Sequence, residues 1–139
     1  MSFLSLFAIG CNDTPSFKSV GVEEFSEIIA TDNTIVVDVR RADEWEAGHL
    51  PTAQYNIDAL QADFATKASE ILPKDKTIAI YCRSGRRSKT AAMQLAENGF
   101  DVVELDGGII SWQEKALPIL SAPLSLKTTD LFTIGSLRN

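Results

Sequence analysis

The sequence predicts an α/β protein built on a central parallel sheet of about five strands, with helices covering both faces. The runs TIVVDVR at 34–40 and TIAIYC at 77–82 are short and apolar, the pattern of strands buried on both faces. Between such runs lie segments in which apolar residues recur at helical spacing. Because parallel strands are joined through crossover connections, this alternation indicates a parallel sheet.

Each element expected in the first half of the chain has a local signal. VEEFSEIIA at 22–30 spaces Val22, Phe25 and Ile29 along one side of a helix. In order, the predicted elements are a strand near 17–20, a helix at 22–30, a turn at 31–33, a strand at 34–40, a helix at 41–47 that ends at Gly48, and a short strand after the proline turn within 49–57.

The second half of the chain continues the alternation. Residues 58–71 are predicted as an amphipathic helix with Leu60, Phe64, Ala68 and Ile71 on one side. The tail at 117–139 has no such pattern, and either covers a sheet edge or is disordered. The remaining predicted elements are a strand at 77–82, a helix at 88–98 stopped by Gly99, a strand at 101–105 and a helix at 107–116.

Composition and charge narrow the class of protein. The chain has 139 residues, which fits one domain, and 45% hydrophobic residues, enough for a core. Its net charge is −6 with a pI of about 4.7, so a general nucleic-acid binder is disfavoured. With one histidine and only Cys11 and Cys82 as cysteines, no zinc site, disulfide scaffold or cofactor is expected.

The N-terminal segment MSFLSLFAIGC at 1–11 is apolar, is too short to span a membrane, and precedes a polar linker at 12–16. It resembles the end of a bacterial lipoprotein signal with Cys11 as the lipidated residue. A basic region is missing, and Ala8 stands where leucine is commoner. The segment predicts a lipid tether to a membrane and a place in the cell envelope or periplasm, with the cytoplasm as the alternative.

Cys82 stands at the end of a predicted strand, ahead of the loop RSGRR and a helix that Ser88 is expected to open. Sites in open α/β sheets form at the carboxyl ends of strands. The N-terminus of the helix presents unpaired N–H groups and partial positive charge, which favour a thiolate. Gly85 lets the backbone curl so that several N–H groups face inward. A lone cysteine is most often a small buried hydrophobe, but this combination indicates a reactive thiolate.

Three arginines, Arg83, Arg86 and Arg87, add positive charge to the loop after Cys82. At least one is expected to point into the pocket, while the others face solvent. The expected substrate is therefore an anion that is either thiophilic or a phosphate ester.

Three ordered motifs closely resemble the rhodanese-like sulfurtransferase domain: VVDVRRADEWEAGHLPTAQYN at 36–56, IAIYCRSGRRS at 78–88 and VVELDGGIISW at 102–112. The resemblance spans about residues 17–116. One departure is Thr52, where the family more often has the glycine of Pro-Gly-Ala.

The resemblance implies a mechanism in two half-reactions. The thiolate of Cys82 attacks the outer sulfur of an anionic donor such as thiosulfate, sulfite leaves, and a persulfide remains until cyanide or a thiol accepts the sulfur. A protein is a further candidate donor or acceptor. Arg86 or Arg87 is expected to hold the sulfite. The backbone N–H groups expected to bind the persulfide belong to Arg83, Ser84, Gly85, Arg86, Arg87 and Ser88.

Loop length separates this function from its nearest rival. A Cys-dependent phosphatase or arsenate reductase needs five residues between cysteine and arginine, but the sixth residue after Cys82 is Ser88, and Arg87 comes one residue early. The shorter loop suits a sulfur atom better than a phosphate group. A non-catalytic binding module is the other alternative, although such rhodanese-like domains commonly lack the cysteine.

The resemblance also gives structural roles to residues around the loop. Asp38 is expected close to the loop, with Arg40 in a buried ion pair and His49 as a structural residue in a turn. Gly107 and Gly108 are expected to allow close packing beside the Cys82 loop. Trp45 and Trp112 are expected in the core, and Glu23, Glu24, Glu44 and Glu46 on solvated helix faces.

Overall fold

A five-stranded parallel sheet in the order β1-β5-β4-β2-β3 forms the centre of the computed structural model, which describes residues 14–121. The predicted fold class is confirmed. The elements are β1 (Lys18–Val20), α1 (Val22–Ile29), β2 (Thr34–Asp38), α2 (Ala42–Ala47), β3 (Tyr55–Asn56), α3 (Phe64–Ile71), β4 (Thr77–Tyr81), α4 (Arg86–Glu97), β5 (Asp101–Leu105) and α5 (Gly108–Glu114).

Strand β4 lies in the middle of the sheet and is buried on both faces. Ile78 and Ile80 belong to one apolar cluster, and Ala79 and Tyr81 to the other, because successive side chains of a strand point to opposite faces. All four residues are fully buried. The first cluster is completed by α3 and α4, and the second by α1 and α5, so helices cover both faces of the sheet as predicted.

The register of the sheet brings the carboxyl ends of β2 and β4 side by side. Asp38, the last residue of β2, aligns with Tyr81, the last residue of β4. Val39 extends this pairing by donating its N–H to the carbonyl of Tyr81 over 3.0 Å. Cys82 therefore begins its loop next to the segment that follows β2, at one edge of the sheet.

The helix predicted at 58–71 is wrong in its first half. The backbone N–H of Leu60 donates to the carboxylate of Asp58 over 2.9 Å, which favours a turn over a helix. The helix α3 begins only at Phe64. Leu60 is 61% exposed and Ile71 is 45% exposed, so only Phe64 and Ala68 of the predicted apolar side enter the core.

The first described residues of the tail pack against the turn after α2. Leu120 and His49 exchange backbone hydrogen bonds of 2.9 and 2.7 Å in an antiparallel bridge. The indole N–H of Trp112 donates to the carbonyl of Pro118. His49 lies in this turn as expected, stacked on Trp45.

Residues 1–13 and 122–139 lie outside the described part of the chain, so the leader with Cys11 and most of the predicted tail stay predictions. No helix within residues 14–121 has the length and apolar character needed to cross a bilayer.

Candidate active site

The thiol of Cys82 is held by backbone N–H groups of its own loop. Its Sγ accepts hydrogen bonds from the N–H of Gly85 over 3.1 Å and from the N–H of Ser88 over 3.3 Å. Cys82 is fully buried. Because these donors are peptide dipoles fixed in place, they stabilise negative charge on the sulfur without any reorganisation.

The helix that contributes these donors starts earlier than predicted. Ser88 was expected to open the helix, but α4 begins at Arg86, with Gly85 as the residue that precedes it. Gly85 has φ of +102°, a conformation that residues with a Cβ adopt only under strain. This turn at Gly85 brings the first turn of α4 back over Cys82, so the N-terminus of the helix faces the sulfur.

The outer side of the loop rests on the start of α5. The N–H of Ile109 donates to the carbonyl of Cys82 over 2.9 Å, and the N–H of Ile110 to the carbonyl of Arg83 over 3.1 Å. Gly108, at φ +62°, lies so close that a Cβ there would collide with the backbone of Arg83. The close packing expected at this glycine is therefore observed.

The three loop arginines have different surroundings. Arg87, one of the two expected to bind sulfite, instead donates two hydrogen bonds to Glu44, of 2.8 and 3.0 Å. Glu44 was expected on a solvated face, but only 18% of its side chain is exposed. Its hydrogen bond with Arg87 lowers the pKa of Glu44 to about 2.

Arg83 and Arg86 are exposed, and neither forms an ion pair within residues 14–121. Ser84 is also exposed.

Two cavities flank the loop. The one beside Arg83 measures about 310 Å³ and is lined by Glu44, Ile109, Ile110 and Ile119. The one beside Arg86 measures about 200 Å³ and is lined by Arg87, Leu60 and Thr90. Glu44 lines the first cavity, and its ion-pair partner Arg87 lines the second.

Asp38 and Arg40 form the buried ion pair that was expected. The guanidinium of Arg40 contacts both carboxylate oxygens of Asp38, with a closest distance of 2.6 Å, and also donates to the carbonyl of Gly48. Neither side chain donates to the sulfur of Cys82. Burial, followed by the negative charge of Asp38, raises the pKa of the neighbouring Tyr81 above its ordinary value. The pair therefore shapes the edge beside the loop without reaching the thiol.

One buried residue behind the loop was not predicted from the sequence. Glu104 in β5 has no exposed surface, and its carboxylate accepts a 2.6 Å hydrogen bond from the hydroxyl of Ser88. Ser88 thus uses its side chain for Glu104 and not as a helix cap. The signal available in the sequence was the charged residue in the otherwise apolar run VVEL. A carboxylate in a buried strand needs a polar partner, so this residue indicated a buried polar contact.

The arrangement provides a nucleophile and an anion-binding loop. A thiolate at Cys82 has two N–H donors and two exposed guanidinium groups nearby. Within residues 14–121, no cluster of three or more histidine, cysteine or acidic side chains is placed to bind a metal ion.

Residues 21–115 match the sequence profile of the rhodanese-like domain, and the chain belongs to this family. A rhodanese-related protein from Thermoplasma volcanium has the same fold, with a TM-score of 0.65 and 30% sequence identity. The match covers 75% of this chain and 98% of that one.

Several relatives with similar sequences carry sulfurtransferase names. The "Sulfurtransferase" of Allochromatium vinosum is 39% identical over 75% of this chain and 95% of its own length. The "Thiosulfate sulfurtransferase GlpE" of Pseudoalteromonas translucida is 30% identical over 70% of this chain and 90% of its own length. The "tRNA uridine(34) hydroxylase" of Chlamydia trachomatis is 33% identical over 77% of this chain but only 35% of its own length. The two relatives with sulfurtransferase names support a rhodanese-type sulfurtransferase function at the level of the family.

Proposed function

We propose that the protein is a sulfurtransferase that carries sulfane sulfur as a persulfide on Cys82, with thiosulfate or a related anion as donor. The observation that carries the proposal is the pair of backbone N–H groups, of Gly85 and Ser88, directed at a single sulfur atom. Fixed donors of this kind stabilise the anionic thiolate, and equally the anionic persulfide that replaces it.

In the first half-reaction, the thiolate of Cys82 attacks the outer sulfur of thiosulfate. A new S–S bond forms, the sulfur–sulfur bond of thiosulfate breaks, and sulfite leaves with the bonding electron pair. In the second, cyanide or a thiolate attacks the terminal sulfur, and Cys82 leaves as a thiolate. Because Cys82 is fully buried, a donor reaches its sulfur only after residues around it move.

Arg83 and Arg86 are the better candidates for binding the sulfite group, since both guanidinium groups are exposed beside the loop. Arg87 is already engaged by Glu44 through two hydrogen bonds. An anionic donor would therefore meet Arg83 or Arg86 first, and would gain Arg87 only by displacing Glu44.

The test is formation of thiocyanate from thiosulfate and cyanide by the purified protein, compared with a Cys82→Ser variant. Thiocyanate formed by the wild type and lost in the variant supports the proposal. Mass spectrometry after thiosulfate treatment should show one added sulfur atom on wild type alone. Cleavage of a phosphate ester that depends on Cys82, without thiocyanate, would favour the phosphatase. Inactivity on both would favour a binding module or a protein sulfur donor.

The location proposed for this activity is the cell envelope, through a lipid on Cys11. Mass spectrometry of the mature protein from cells tests it, because a lipidated chain would begin at Cys11. A mature chain that begins at residue 1 without a lipid would exclude the tether and favour the cytoplasm.

A further inference from the structure

Glu104 is a fully buried carboxylate on the side of the Cys82 loop that faces the sheet. It lies in β5, in register with Ile80 of β4 on one side and with Ser19 of β1 on the other. A Cβ placed on Gly85 would lie 3.7 Å from its Oε2 atom, so the carboxylate packs directly under the turn that starts α4.

The contacts of this carboxylate link β5 to the start of α4 and to β1. Oε2 accepts the hydroxyl of Ser88, and Oε1 accepts the hydroxyl of Ser19. The ammonium of Lys89 lies 3.2 Å from Oε1 and 2.9 Å from the carboxylate of Asp106. The residue that donates its N–H to the sulfur, Ser88, is thus also the residue that Glu104 holds by its side chain.

The negative charge of Glu104 is balanced by the side chain of Lys89. A buried carboxylate is costly unless it is paired, and Lys89 is the cation that reaches Glu104. Lys89 is itself half-exposed, so it can be neutralised without opening the core. Loss of Lys89 leaves Glu104 as an unbalanced negative charge close to the thiol, whereas loss of Glu104 leaves Lys89 paired with Asp106 alone.

We propose that Glu104 and Lys89 are positioning residues for Cys82, which fix Ser88 over the sulfur and balance the charge behind it. The inference rests on the proposed role of Cys82 as a nucleophile. It predicts opposite effects on the Cys82 thiolate for the two substitutions. Removal of the negative charge of Glu104 favours the thiolate, whereas removal of the positive charge of Lys89 disfavours it.

Other charged groups also lie around the loop, and the test must leave them unchanged. They come from β2 and the segment after it, from α2, from the loop and α4, and from the turn after β5: Asp38, Arg40, Glu44, Arg83, Arg86, Arg87 and Asp106.

The experiment measures the rate of alkylation of Cys82 by iodoacetamide against pH in the full chain, for wild type, Glu104→Gln and Lys89→Met. Alkylation follows the thiolate. The midpoint should move to lower pH in Glu104→Gln and to higher pH in Lys89→Met, by about half a pH unit or more in each. Glu97→Gln and Lys67→Met make the same changes in net charge at exposed positions, and should leave the midpoint in place.

Opposite shifts would support the inference, since a purely structural role would move both variants alike. Shifts in the same direction, or none, would overturn it. If Glu104→Gln does not fold, Lys89→Met is compared with Lys89→Arg, which keeps the positive charge. A shift to higher pH in Lys89→Met alone supports the inference, and equal shifts in the two variants overturn it. Alkylation needs no sulfur donor, so a wild type that forms no thiocyanate would count against the proposed function and leave this test intact.

Discussion

The carboxyl ends of β2 and β4 lie side by side and both lead into arginine-containing segments, yet only one of them has the properties of a reactive site. After β2, Arg40 is buried, and its guanidinium donates hydrogen bonds to Asp38 and to the carbonyl of Gly48. After β4, the donors that face inward are backbone N–H groups, and they converge on the sulfur of Cys82.

The number of arginines near a strand end therefore does not identify a binding site. What matters is whether their donors already have partners. Arg40 and Arg87 are satisfied by carboxylates, whereas Arg83 and Arg86 form no ion pair within residues 14–121. A guanidinium that is already paired is part of the scaffold, and an anion must displace its partner before it can bind.

Loss of the buried ion pair after β2 should have the strongest effect on the protein. Asp38→Ala leaves the guanidinium of Arg40 buried without its partner, which should lower the free energy of unfolding by about 3–5 kcal/mol. Urea denaturation measures the change. The matched control is Asp43→Ala, which removes an exposed ion pair with Arg41 and should change stability little. Equal losses in the two variants would contradict this interpretation of β2.

A change that displaces the Cys82 loop after β4 should reduce the reactivity of the protein more than its stability. Gly108→Ala would push a Cβ into the backbone of Arg83 and must displace the loop, so kcat/KM for thiosulfate should fall about tenfold or more. The steady-state rate of thiocyanate formation measures it, and circular dichroism checks the fold. Gly21→Ala is the control, since a Cβ at Gly21 has no atom within 4 Å. Unchanged activity in Gly108→Ala would mean that the loop tolerates movement.

Substitution of the exposed arginines should have a smaller effect on activity, and this effect should appear in the binding of thiosulfate. Arg83→Gln and Arg86→Gln should each raise KM for thiosulfate about fivefold, the effect of losing ~1 kcal/mol from an exposed charge contact. The turnover number should change less, and added salt should reduce the difference. Arg41→Gln, on the neighbouring segment after β2, is the control. A fall in the turnover number with KM unchanged would place these arginines in the chemical step instead.

The smallest effect should appear in the pH dependence of stability. Glu44 has a folded-state pKa of about 2 against an ordinary value of 4.5, so its ion pair stabilises the folded protein fully above pH 4.5. This contribution is lost as pH falls from 4.5 toward 2, because the carboxylate is then protonated. The difference in unfolding free energy between wild type and Glu44→Gln should therefore shrink over that interval, as measured by urea denaturation. A constant difference would mean that Arg87 does not depress this pKa.

Much of the fold was predictable because its signals are local. The runs at 34–40 and 77–82 carry their own β-branched pattern, and Gly99 and Gly108 mark points where the backbone must turn or approach closely. The placement of Cys82 at a strand end followed from the same logic. The helix start at Phe64 was missed because apolar spacing does not reveal that Asp58 captures a backbone N–H.

The missed parts of the candidate site depend on partners far apart in sequence. Glu44 meets Arg87 across 43 positions, and Glu104 meets Ser88 across 16. Nothing in the sequence around Glu44 separates it from Glu46, which is exposed on the same helix. Only the folded sheet brings α2, β5 and the start of α4 to one place, so those side-chain partners follow from topology.

The pairing of β1 with β5 has a consequence for the order in which the protein folds during synthesis. Lys18 aligns with Val103, and the hydroxyl of Ser19 reaches Glu104 over a separation of 85 residues. The ribosome releases β1 first, but the edge that receives it exists only after β5 has emerged. The three-residue strand therefore waits without this partner until residues 101–105 have emerged, and the sheet is completed by the strand that was made first.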